Sequence, residues 1–138
     1  MSARPLRKGD IAATMTVPPI TRTALALYAG ASGDHNPMHI DADVARAHGM
    51  PDVFAQGMLV MGYLGRLLTD TFPLSAIAEF GVRFVAITRV HQALTCTATV
   101  SEITPDGALR LDLRATDADG TTTVMGFARI TAVQPTGP

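Results

Sequence analysis

Apolar and polar positions change rhythm once along the chain, near Phe72-Pro73: before it they recur at helical spacing, after it they alternate with period two. The first regular stretch, Ile11 to Val17, reads as a strand closed by Pro18-Pro19. Thr21 then has the chemistry of an N-cap for a helix from Arg22 to about Ala29, with Leu25 and Tyr28 on one side. Asp41 opens a second short helical stretch to about Ala47, stopped by His48-Gly49 and Pro51. The strongest helical signal runs from Gln56 to Thr71, where Met58, Leu59, Met61, Leu64, Leu67 and Leu68 recur at three and four. Val60 and Tyr63 carry apolar surface around nearly the whole circumference, which predicts a central, buried helix. Gly57, Gly62 and Gly65 each weaken such a helix by about 1 kcal/mol relative to alanine, so another backbone is expected to come close there.

The second half reads as strands. Phe80, Val82, Phe84 and Ala86 face one way, with Gly81, Arg83, Val85 and Ile87 opposite. Leu94, Cys96, Ala98 and Val100 alternate with threonines and Ser101, and Leu109, Leu111, Leu113 and Ala115 alternate with Arg110, Asp112, Arg114 and Thr116. A last strand is expected from about Thr122 to Val133. Pro105-Asp106-Gly107 and Asp117-Ala118-Asp119-Gly120 suit the turns between them. Strands with one apolar face predict an antiparallel meander with a helix on one side, an α+β fold.

Composition narrows the class. A chain of 138 residues is the size of one domain, here expected as a single unit over 1–138 with an ordered core of about 9–134. A net charge of -1 with 47% hydrophobic residues excludes a disordered chain and leaves no basic excess for nucleic acid. No apolar run approaches the length of a membrane span, and the basic start from Ser2 to Lys8 lacks the apolar stretch of a signal peptide. Cys96 stands alone, so no internal disulfide forms and a reducing, cytoplasmic home is the expectation. The chain shows no repeat and no low-complexity tract.

One segment is more polar than a fold requires: Ser32-Gly33-Asp34-His35-Asn36-Pro37-Met38-His39-Ile40-Asp41, set between two helices. Pro37 fixes its own backbone and biases Asn36 towards an extended shape, so the loop from Asp34 to His39 is expected to be stiff. A stiff loop can hold a carboxylate and an imidazole at a fixed separation, as general acid–base chemistry needs. Against this, Ser32 and Asn36-Pro37 are ordinary turn residues and Asp41 an ordinary cap; spacing alone leaves both readings open. A metal site at His35 and His39 is disfavoured, because Asn36-Pro37 interrupts the helix that would align them. His35, His48 and His91 read as structural or solvent-facing, and Cys96 as a small core residue.

These residues resemble the MaoC-type dehydratases, the (R)-specific enoyl-CoA hydratases also called hydratase 2. The family pattern S-G-D-x-N-P-x-H-x-D is complete from Ser32 to Asp41. A second family motif, a helix opening on H-G-M-L, stands here as Gln56-Gly57-Met58-Leu59 after Phe54-Ala55, with glutamine for the usual histidine. The resemblance implies a hotdog fold, a curved antiparallel sheet wrapped around a long central helix, and usually a dimer. It implies Asp34 and His39 as the catalytic pair, Asn36 as a residue placing the pair and the water, and the backbone N–H of Gly57 as receiver of a thioester carbonyl. Ser32 and Gln56 join Asn36 and Gly57 in the substrate-contacting set. The implied reaction is reversible hydration of a 2-enoyl thioester to an (R)-3-hydroxyacyl thioester on coenzyme A or acyl carrier protein, without metal or redox cofactor. Phe80, Val82 and Phe84 read first as core, with the lining of an acyl channel as the alternative. The family's P-V-x-x-G-D-like turn is replaced by Ile87-Thr88-Arg89-Val90-His91-Gln92, which alters the loop but not the pair.

Two rivals follow from the same fold. A hotdog thioesterase would place a carboxylate within the central helix, where Gln56 to Thr69 carries none. A non-catalytic subunit of a heteromeric dehydratase would be expected to lose the pair that this chain keeps; this chain could also be the active half of a heterodimer.

Overall fold

A computed structural model describes residues 4–132. The elements are β1 (Ile11–Val17), α1 (Arg22–Ser32), α2 (Ala42–Ala47), α3 (Gly57–Thr71), β2 (Ile77–Phe84), β3 (Leu94–Ile103), β4 (Leu109–Asp117) and β5 (Thr122–Ile130). The strand expected to reach Val133 ends at Ile130; Val133 and the tail lie outside the described residues. Thr21 caps α1 as expected, its side chain accepting from the Ala24 N–H, but the helix runs to Ser32 before Gly33 closes it in the left-handed region at φ 78°.

All pairings in the five-stranded sheet are antiparallel, in the order β1-β3-β4-β5-β2. This corrects the simple meander. Only β3, β4 and β5 follow one another, while β2 crosses to the far edge and pairs with β5, Phe84 opposite Val124 and Phe80 opposite Ala128. Alternation specifies which face a side chain takes and is silent about which strand lies beside it. The inner face carries Leu94, Cys96, Ala98 and Val100 of β3 and Leu111, Leu113 and Ala115 of β4, all buried. They pack with Val60, Leu64, Leu67 and Leu68 of α3 into one apolar core.

Helix α3 buries one face rather than its whole circumference. Met58 is 56% exposed, and Gly62 and Arg66 also face outward. The glycines do not admit a backbone either. A Cβ at Gly57 would lie 2.9 Å from the ring of Phe84, and one at Gly65 would lie 3.3 Å from the ring of Phe80, while at Gly62 nothing stands within 4 Å. Two aromatic rings of β2 therefore rest directly on α3 at its glycines.

Candidate active site

The segment after α1 is a ladder of side-chain caps. Ser32 Oγ accepts from the Asp34 N–H at 3.1 Å, Asp34 Oδ1 from the Asn36 N–H at 3.3 Å, and Asn36 Oδ1 from the Met38 N–H at 3.1 Å. Each is an oxygen reaching two residues along its own backbone, the turn chemistry that Asp, Asn and Ser share. Pro37 then opens a 3₁₀ turn over Pro37–His39, and Asp41 caps α2 by accepting from Asp43 and Val44 N–H. The loop is stiff because its side chains satisfy its own backbone donors.

The ladder delivers two side chains to one cleft. His39 is 8% exposed, Asp34 lies at the rim, and Nε2 of the imidazole stands 3.8 Å from Asp34 Oδ2. That is too long for a direct hydrogen bond and short enough for one water to reach both. The opposite nitrogen, Nδ1, lies 2.6 Å from the Phe54 carbonyl oxygen. A carbonyl only accepts, so Nδ1 carries the proton and Nε2 of the neutral ring keeps its lone pair towards Asp34. The Phe54 ring also meets the imidazole edge-on, centroids 4.9 Å apart.

Phe54 is itself held. It forms an isolated antiparallel bridge with Arg89, and the Ala55 N–H donates to the Thr88 carbonyl at 2.9 Å. Thr88 donates from its hydroxyl to Thr123 Oγ1 at 2.7 Å, a buried bond that ties the loop after β2 to β5. Arg89 pairs with Asp119, and Arg22 pairs with Asp52 through two hydrogen bonds, pinning the start of α1 to the approach to α3. The Arg22 guanidinium holds the Asp52 carboxyl below the usual carboxylate range.

Across the cleft from the pair is the start of α3. No side chain caps this helix, so the first N–H, that of Gly57, stays available at the positive end of the helix dipole. The cleft, about 310 Å³, is lined by Asp34, His39 and Gly57, with Phe54, Phe84 and Val124 among its walls. A larger hollow of about 520 Å³ between β1, Pro18-Pro19 and Tyr63 gathers no acid–base pair.

The other members of the expected set fall elsewhere. Ser32 and Asn36 do not line the cleft; their oxygens are spent on the loop's N–H groups. Gln56 is almost fully buried and donates from Nε2 to the Leu25 carbonyl of α1 at 3.1 Å, while its Oε1 finds no protein partner. Its side chain thus braces α3 against α1 rather than facing a substrate. The residue that reading by type missed is Phe54, whose contribution is a backbone carbonyl and so leaves no signature of residue type. His35 is exposed, and His91 occupies an exposed loop at φ 68°, the left-handed region in which a family glycine would be unstrained. Among the described residues no group of three or more His, Cys, Asp or Glu could hold a metal ion, and no helix is long and apolar enough to cross a membrane.

Cys96 lies on the inner face of β3 with burial pushing its thiol up to about 11. The thiolate is the reactive form, so at pH 8 the native protein is expected to resist a disulfide-exchange reagent. One thiol per chain should appear only on unfolding in urea; rapid release of one equivalent from the native protein would contradict the burial.

The strand order and the helix running across the inner face define a hotdog fold. The MaoC like domain family model matches residues 8–118, and the chain belongs to that family. An (R)-specific enoyl-CoA hydratase of Rhodospirillum rubrum is 29% identical over 89 residues, covering 63% of this chain; the match spans 62% of that relative's length. Among solved structures, the R-hydratase PhaJ1 of Pseudomonas aeruginosa superposes with a TM-score of 0.81 at 26% identity, covering 96% of this chain and 91% of the other. The (R)-hydratase from A. caviae involved in PHA biosynthesis gives 0.81 at 23% identity, with 94% and 98% covered, a likeness of fold.

Proposed function

We propose that the chain is a hydro-lyase that adds water reversibly across the double bond of a 2-enoyl thioester. The observation that carries this is the pairing, in one cleft, of the Asp34 carboxylate and the His39 Nε2 lone pair, 3.8 Å apart, facing an uncapped helix N-terminus. Both groups accept hydrogen bonds, so a water between them donates one hydrogen to each and turns an oxygen lone pair outward. With the thioester carbonyl at the Gly57 N–H, electron density is drawn from C3, and the water oxygen bonds there as one of its protons passes to the pair. The C2–C3 π electrons move to C2 and the carbonyl oxygen, where the helix terminus stabilises the charge. The proton held by the pair then returns to C2 on the same face. The hydroxyl ends on C3 and a hydrogen on C2, so water is added with nothing left over and no metal or redox cofactor used. Asp34 and His39 act as one coupled unit. By likeness to the relatives named (R)-specific, the product is the (R)-3-hydroxyacyl thioester, on coenzyme A or acyl carrier protein.

A thioesterase reading finds less support: the carboxylate on α3 is Asp70, at its far end and paired with Arg66 at 3.4 Å. A homodimer fits the sheet, since β2 is an edge strand whose outer side is unpaired, beside exposed Phe84, Val85, Met58 and Phe127. The catalytic unit is then a single hotdog domain, and a reducing cytoplasm suits its lone buried thiol. Crotonyl-CoA and octenoyl-CoA are the test substrates. Enoyl-thioester absorbance should fall without thiol release, in a species whose light-scattering mass is twice that of the chain. Thiol release would establish the thioesterase instead, and a silent chain activated by a co-purifying partner would establish the heteromeric reading.

A further inference from the structure

Only 1% of Gln56 is exposed, yet its amide is half satisfied. A carbonyl only accepts, so Nε2 is the atom that faces the Leu25 carbonyl at 3.1 Å, and Oε1 on the other side has no protein partner. An unpaired buried amide oxygen lowers stability, and the bond to Leu25 adds little, because that carbonyl lies inside α1 and already accepts within the helix. A methionine of similar volume would fill the same space with no amide to satisfy. Stability therefore does not account for a glutamine here.

Its position does. Gln56 and Gly57 share the peptide plane that carries the Gly57 N–H, and the ψ of Gln56, an extended 134°, sets how that plane enters the helix. The Gln56 carbonyl accepts from the Leu59 N–H at 3.1 Å. In a trans peptide the N–H and C=O are antiparallel, so the Gly57 N–H is aimed out of the helix end. Upstream, the Ala55 N–H is bonded to the Thr88 carbonyl. The Gln56 side chain supplies the remaining anchor, to α1. Among the described residues no other hydrogen bond joins α1 to the start of α3.

That anchor matters because α1 leads to the other half of the site. The helix ends at Ser32, Gly33 closes it, and Asp34 follows. His39 reaches the same short segment through the Phe54 carbonyl, two residues before Gln56. Water addition at C3 needs the carbonyl oxygen and the attacking water held in one geometry, and a displacement of about 1 Å can lower the rate about 100-fold. We propose that Gln56 is a positioning residue for this reaction: through Leu25 it holds the Gly57 N–H in register with Asp34 and His39. The role given to the Gly57 N–H rests on the hydratase reading.

The test compares the wild type with Gln56→Met and Gln56→Leu, two apolar replacements of different shape. Crotonyl-CoA hydration, thermal melting and calorimetric binding of unreactive butyryl-CoA are measured for each. Acetoacetyl-CoA probes the N–H separately, because its bound enolate carries negative charge on the carbonyl oxygen and its absorbance reports how well that charge is stabilised. Both variants should lose about 10- to 100-fold in kcat, with KM and butyryl-CoA affinity within about twofold of the wild type. Gln56→Met should melt no lower than the wild type, and the enolate absorbance should fall in both variants. Wild-type kcat in either variant, an enolate absorbance equal in all three proteins, or failure of both variants to fold would overturn the proposal. A wild type that does not hydrate but forms an enolate that both variants lose would refute the hydratase reading and leave the positioning of the N–H standing.

Discussion

Asp34→Asn is expected to lower kcat/KM for a 2-enoyl thioester by about 100- to 10,000-fold, the range typical of a positioned acid–base group. The effect should fall on kcat, because in the proposed mechanism Asp34, at the rim, acts on the reacting water rather than on the bulk of the substrate. The amide that replaces the carboxylate keeps an oxygen for the Asn36 N–H, so melting temperature should hardly change. His39→Ala should cost as much activity and, in addition, about 1–3 kcal/mol of stability, because the Phe54 carbonyl loses its donor in a part-buried place. The double variant should be scarcely slower than the worse single one, since two groups that share one water fail together. Wild-type turnover in folded Asp34→Asn would remove the carboxylate from the mechanism, and strictly multiplicative losses would mean that the two groups act on separate steps.

The turn that carries Asp34 towards His39 was legible in the sequence because its own hydrogen bonds are local. Ser32, Asp34, Asn36 and Asp41 cap their own backbone within three residues, and Gly33 and Pro37 set the turns, so residue type and spacing carry the geometry. The strands were legible for the same reason: β1 runs from Ile11 to Val17 as its pattern requires, and the buried faces of β3 and β4 are those of the alternation. What escaped depends on contacts between distant segments. Gln56 carries no mark that its amide turns inward to Leu25, thirty-one residues away. The tautomer of His39 is set by a carbonyl, which every residue possesses. An apolar circumference on α3 could not reveal that Met58 faces outward, because periodicity finds a face only where polar residues interrupt it. Nor could alternation reveal that β2 lies at the sheet edge, which leaves Phe84 half exposed and Phe80 over a helical glycine instead of deep in the core.

Edge placement makes β2 the weak joint of the site, and Gly126→Ala should expose it. Gly126 lies opposite Val82 in the β2–β5 ladder, and a Cβ there would run into the Gly81 carbonyl oxygen and stand 2.9 Å from Val82 Cγ1. Backbone cannot move aside as a side-chain tip can, so the two strands must separate. Overpacking of this kind costs about 3 kcal/mol, and a chain of this length should lose about 10 °C in melting temperature. Activity should fall with it even in the folded fraction, because β2 carries Phe84 and leads into the loop that holds Phe54 through Thr88 and Arg89. Gly62→Ala is the counterpart on α3. Nothing stands within 4 Å of the new methyl, and the helix should gain up to about 1 kcal/mol with turnover unaltered. Opposite signs from the same substitution would show that one glycine serves strand contact while the other only weakens its helix. Thermal melts of both variants beside the wild type decide it: a Gly126→Ala protein as stable as the parent would mean that β2 does not lie against β5 in this register.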